Sequence, residues 1–181
     1  MSASPVIIIA DPDRAIRSIL RVEFSRFGCT VLLAANGGEV EDYASQVTAR
    51  MVLLDVSSSK FSGYAACAKV RRQFGYERSP IVLSVHDIRE RDRAAAEKAG
   101  ATALLPKPYS LTDLMGTVRR NLLPDDPLAQ VLPPAPEHQT DWTKEANPGR
   151  RFGADSGLSA AKGIIPIVRG SGVRVPLIRA T

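Results

Sequence analysis

The chain has 181 residues, enough for one ordinary domain with an appendage or for two small domains. An apolar fraction of 44% and a charged fraction of 24% exclude a fibrous or wholly disordered protein. The net charge of +5 is uneven: residues 1–123 carry 17 basic and 13 acidic side chains, residues 124–147 carry one and five, and residues 148–181 carry six and one.

No run of eighteen apolar residues occurs, so no membrane span is expected. Residues 1–10 lack the basic start of a secretory signal. Cys29 and Cys67 stand in apolar or alanine-rich surroundings without metal-ligand spacing. They read as small core residues of a cytoplasmic protein, not as a disulfide framework or a zinc finger.

Val6 to Ala10 is a short β-branched apolar run, the signature of a strand buried on both faces. Ile16, Ile19, Leu20, Phe24 and Phe27 follow at helical spacing, and Gly28 stops that helix. Thr30 to Ala34 reads as a second strand and Asn36 to Gln46 as a weaker helix. Met51 to Leu54 is a third strand, ending in Asp55, and Tyr64 to Phe74 a helix stopped by Gly75. Pro80 introduces a fourth strand, Ile81 to Val85; an alanine-rich helix runs from Ile88 to Ala99, and Ala103 to Leu105 is a fifth strand.

The last helix has the clearest start. Ser110 and Asp113 form a capping box, and Leu111, Leu114, Met115, Val118 and Leu122 make one apolar stripe. Five strands alternating with helices predict a parallel sheet covered on both faces. In such a sheet the functional site lies at the carboxyl ends of the strands.

Four polar features fall at those ends: Asp11 and Asp13 after the first strand, Asp55 after the third, His86 and Asp87 after the fourth, and Lys107 after the fifth. A strand-tip carboxylate beside another carboxylate and a lysine suits phosphoryl chemistry. Asp55 is the candidate nucleophile, Lys107 the point charge for a phosphoryl oxygen, and Mg²⁺ the cation that offsets the carboxylates. A lone aspartate in such a place is ordinarily a helix cap, so the weight rests on the joint placement.

Asp11, Asp55, Gly63, Gly100-Ala101 and Lys107-Pro108 together resemble the receiver domain of bacterial two-component response regulators, over about residues 5–123. The resemblance implies an α/β fold, a flavodoxin-like doubly wound five-stranded parallel sheet. It implies that Asp55 accepts phosphate from a histidine kinase or phosphotransfer protein. Asp11 would belong to an acidic pair holding Mg²⁺, and Lys107 would contact the phosphoryl group. Such a module signals to an output protein and is not an enzyme.

The sequence also departs from the family pattern. Pro12 stands where the second metal carboxylate is usual, which leaves Asp13 as its substitute; Ser57 offers a backbone carbonyl to the metal. Counting from Asp55, Pro80 and Gly100 puts the switch hydroxyl at Val85, with Ser84 aimed at the opposite side. The switch aromatic falls at Leu104, and the family's usual proline is missing from the loop after Asp55. A weakened metal site and a lost switch pair are therefore expected. Tyr109 matches a common receiver aromatic and reads as packing.

Eight of the thirteen prolines lie beyond Leu123, which places the domain boundary near residue 123. Residues 124–181 then read as a proline-rich linker and a disordered basic tail, with Trp142 a docking anchor or a packed residue. Six basic residues in that tail are a weak signal for nucleic acid, and no recognition helix is present. The leading expectation is a stand-alone receiver acting by protein contact. The alternatives are a phosphorylation-independent pseudo-receiver adaptor and a nucleic-acid-associated regulator working through the tail.

Overall fold

The computed structural model describes residues 4–56 and 62–134. Five strands, β1 (Val6–Ala10), β2 (Thr30–Ala34), β3 (Met51–Asp55), β4 (Ile81–Val85) and β5 (Ala103–Pro106), form one parallel sheet in the order β2-β1-β3-β4-β5. Helices α1 (Arg14–Arg26), α2 (Gly37–Gln46), α3 (Gly63–Arg71), α4 (Glu90–Ala99) and α5 (Leu111–Asn121) alternate with them. This is the parallel sheet expected from the alternation, in the flavodoxin-like strand order that the resemblance implies.

Sequence texture explains the strand order. All five residues of β3 and of β4 are buried, as are four of five in β1, which suits strands covered on both faces. The edge strand β2 is only half-buried, and β5 ends on Pro106, which an edge tolerates because the missing donor interrupts no inner ladder. Leu20 and Phe24 of α1 and Leu114, Met115 and Val118 of α5 complete the core. Cys29 and Cys67 are buried free thiols.

Local signals set most helix ends. Asn36 caps α2, and the Ser110–Asp113 box opens α5 as the sequence requires. Gly100 ends α4 at φ +75, the left-handed conformation that a side chain would strain. Helix α3 stops at Arg71, short of Phe74, which is exposed. At that end the Arg71 guanidinium turns into the protein and donates to the carbonyls of Gly100, Tyr76 and Ser79 and to Thr102 Oγ1.

The expected linker after residue 123 is corrected for residues 124–134. A short helix α6 (Pro127–Val131) packs on α5, burying Leu128, Ala129 and Leu132. Pro127 sits in its first turn, where a missing N–H costs nothing, and Asp126 caps it by accepting from Leu128 N–H at 3.0 Å. Prolines forbid a long helix there, not a single turn. The tail, including Trp142 and the basic stretch, lies outside the described residues.

Candidate functional site

Register builds the site. In a parallel ladder, partnered residues present their side chains to the same face. Ala10 pairs with Leu54, Asp55 with Ser84, and Ser84 with Leu105. Asp11, one step past Ala10, therefore comes level with Asp55, while Lys107 lies two residues past Leu105 and shares its parity.

Lys107 ties the row together. Its Nζ is 2.9 Å from Asp55 Oδ1 and 3.1 Å from Asp11 Oδ2, with Asp55 1% and Asp11 3% exposed. Asp11 is further held through Oδ1, which accepts from Asp13 N–H at 2.8 Å. Burial works against the charge of Lys107, but hydrogen bonds and attraction from Asp55 and Asp11 outweigh it and hold the ammonium above its ordinary pKa. Two buried carboxylates thus lie against the Lys107 cation.

Ser84 is in the site, and the count that put Val85 there is corrected. Its Oγ lies 3.4 Å from Asp55 Oδ1, as the donor. Asp55 pairs with Ser84 in the ladder between β3 and β4, and ladder pairing, not chain distance, decides which residue faces Asp55. The Tyr109 phenol is pushed above its ordinary pKa mainly by burial; Lys107 opposes the rise while Asp11 and Asp55 add to it. Sequence reasoning gave Tyr109 no place here, because its position two residues past Lys107 shows only once that loop is folded back over β4.

The remaining candidates separate. Asp13 is exposed and caps α1, accepting from Ala15 N–H at 2.7 Å, the ordinary role of an aspartate before a helix. His86 and Asp87 are exposed in the loop after β4, with Asp87 paired to Arg89. Ser57 lies outside the described residues. Leu104 is buried and pairs with Leu83, on the opposite parity from Ser84. Gly63 earns its motif sterically: a Cβ there would lie 2.5 Å from the Asp55 carbonyl oxygen, so only glycine lets α3 approach the back of the site.

Residues 7–119 match the family model of the response regulator receiver domain. The chain belongs to that family. Receiver domains are signalling modules of two-component systems, and their relatives here agree. Response regulator MprA of Mycolicibacterium vanbaalenii is 35% identical over 123 residues, 66% of this chain and 52% of that protein. MprA of Mycobacterium tuberculosis strain H37Ra is 32% identical over 149 residues, 80% of this chain and 64% of that protein. The chain thus spans about half to two thirds of the length of these relatives.

Chemotaxis protein CheY4 of Vibrio cholerae superposes with a TM-score of 0.63 at 25% identity, over 66% of this chain and all of that one. The receiver domain of the sensor histidine kinase PA1611 of Pseudomonas aeruginosa, which holds a magnesium ion in its active-site cleft, superposes with a TM-score of 0.58 at 23% identity, over 65% of this chain and 97% of that one. In this receiver, no helix among the described residues is long and apolar enough to cross a membrane.

Proposed function

We propose that this receiver accepts a phosphoryl group on Asp55 from a phosphohistidine of a sensor kinase or phosphotransfer protein and signals by protein–protein contact. The observation that carries this is the Lys107 ammonium set 2.9 Å from Asp55 and 3.1 Å from Asp11. An Asp55 oxygen forms the O–P bond as the donor's P–N bond breaks, and the electron pair of that bond stays with the imidazole nitrogen. Lys107 balances charge on the phosphoryl oxygens, and Ser84 supplies a hydroxyl to one of them.

Asp11 and Asp55 are hard oxygen donors that fit Mg²⁺, with the Ser57 carbonyl as a third candidate. Bound there, the ion would offset carboxylate and phosphoryl charge. Pro12 supplies no carboxylate and Asp13 is committed to its cap. Among the described residues, no group of three acidic, histidine or cysteine side chains could hold a metal. The affinity for Mg²⁺ is accordingly expected to be low, since charge and ligand number set it.

The test is intact mass after incubation with a small phosphodonor over a range of Mg²⁺ concentrations. A phosphate adduct that vanishes in Asp55→Asn, and that needs more Mg²⁺ than a receiver with a full acidic pair, supports the proposal. The reduced acidic set favours one second reading, a pseudo-receiver that binds its partner constitutively. The absence of an adduct at any Mg²⁺ concentration selects it.

A further inference from the structure

Helix α5 carries two stripes. One is the core stripe of Leu114, Met115, Val118 and Leu122. The other, Asp113, Gly116, Thr117 and Arg120, recurs at helical spacing on the side turned away from that core. A helix laid on one face of a sheet leaves such a second stripe in water. Here Gly116 is buried, Thr117 is 3% exposed, and no residue from 113 to 123 is exposed. Helices α1 and α4, by contrast, show exposed residues in every turn.

The described neighbours do not account for this cover. Strand β5 packs against the core stripe, and α6 is tied to the amino rim by the pair of Asp126 with Arg50. The start of α6 therefore lies beside the last turn of α5, with Gly116 about 9 Å further along the helix from Leu122. Arg120 and Asn121 reach back to Thr117 through hydrogen bonds of 3.4 and 2.8 Å, yet both are themselves shielded.

We infer that the outer stripe of α5 is a docking surface for this chain's own acidic segment, residues 137–145, with Trp142 seated over Gly116 and Thr117. Three observations choose this occupant. The first is reach: Trp142 is eight residues beyond Pro134, a span of up to about 26 Å, so it can easily regain Gly116 from the end of α6. The second is charge. Residues 137–145 hold Glu137, Asp141 and Glu145 against Lys144, while α5 holds Arg119 and Arg120 against Asp113. The third is shape: Gly116 has no Cβ, so an indole can lie close to the helix backbone there, and an indole covers a large area.

A segment docked in this way keeps any other protein from the outer side of α5 until it is displaced. The inference makes no use of phosphorylation, and it stands or falls apart from the role of Asp55.

Trp142 is the only tryptophan, so the fluorescence of the full chain reports on it alone. Acrylamide quenching in the wild type is expected to be roughly threefold weaker than in a peptide of residues 135–147, the factor that a docked population of about two thirds gives. Gly116→Glu places bulk and negative charge on the seat and should raise quenching to that of the peptide. Peptide-like quenching in the wild type, or protection that survives Gly116→Glu, overturns the inference. Protection that is lost on dilution assigns the cover to a second copy and overturns it as well.

A second measurement needs no change at Gly116. Thr117→Cys in the full chain should react slowly with a thiol reagent, and adding Trp142→Ala should speed that reaction by roughly threefold or more. The buried Cys29 and Cys67 serve as controls for folding, since both should stay unreactive in either variant. A labelling rate at residue 117 that is indifferent to Trp142→Ala overturns the assignment.

Discussion

The two rims of the sheet bury charge in opposite ways. At the carboxyl ends, two buried carboxylates lie against the Lys107 ammonium. At the amino ends, the Arg71 guanidinium is surrounded by four neutral acceptors that take four of its five N–H donors. Beside it, the buried Tyr76 hydroxyl donates to Val47 O at 2.7 Å and accepts from Ala49 N–H at 2.9 Å. The first rim gathers like charges around one cation; the second clamps three loops together.

Alkali is expected to have the largest effect and to act on the amino rim first. Burial pushes the Cys67 thiol up to about 12 and the Cys29 thiol up to about 11, from an ordinary value of 9.0. These groups hold their protons in the folded state while the unfolded chain releases them. Their contribution is therefore complete below pH 9 and is lost as pH rises through the folded values. Lys107, raised above 10.5, keeps the other rim paired until higher pH. Thermal midpoints between pH 7 and 11 should fall from about pH 9, with that early part flattened in Cys67→Ala; an unchanged curve in that variant removes the thiol from the explanation.

Arg71→Ala comes next, stranding several buried acceptors at about 1–3 kcal/mol each and costing about 3–5 kcal/mol in urea unfolding. The folded fraction should still take the Asp55 adduct, since the clamp is at the far rim. Leu128→Ala should cost about 2–3 kcal/mol if α6 is part of the folding unit, and almost nothing if residues 124–134 merely lie against it.

Lys107→Gln leaves two buried carboxylates facing each other. A loss of about 1–3 kcal/mol is expected, relieved by adding Asp11→Asn, which is the behaviour of surplus charge and not of lost packing. Asp126→Asn should be the mildest, at about 1 kcal/mol or less: asparagine caps equally well, and only the 3.3 Å pair between the buried Asp126 carboxylate and the half-exposed Arg50 is lost.

Much of this molecule is legible in the order of its residues. Strands announce themselves as short β-branched runs because both faces of a parallel sheet are dry. Ser110 with Asp113, Asn36 and Gly100 mark helix ends because a cap satisfies local backbone groups within a few residues. Asp11, Asp55 and Lys107 can be named from sequence because each follows a recognisable strand directly.

What the chain order could not decide are relations between segments. Whether Ser84 or Val85 faces Asp55 depends on the register of the ladder between β3 and β4, where Asp55 pairs with Ser84. Asp13 could be a ligand or a cap until α1 took its start. Tyr109 came within the field of Asp11 and Asp55 only when its loop folded, and residues 124–134 became core only when α5 offered them a face. Short-range backbone satisfaction is written locally; side-chain convergence depends on register and packing, which exist only in the folded sheet.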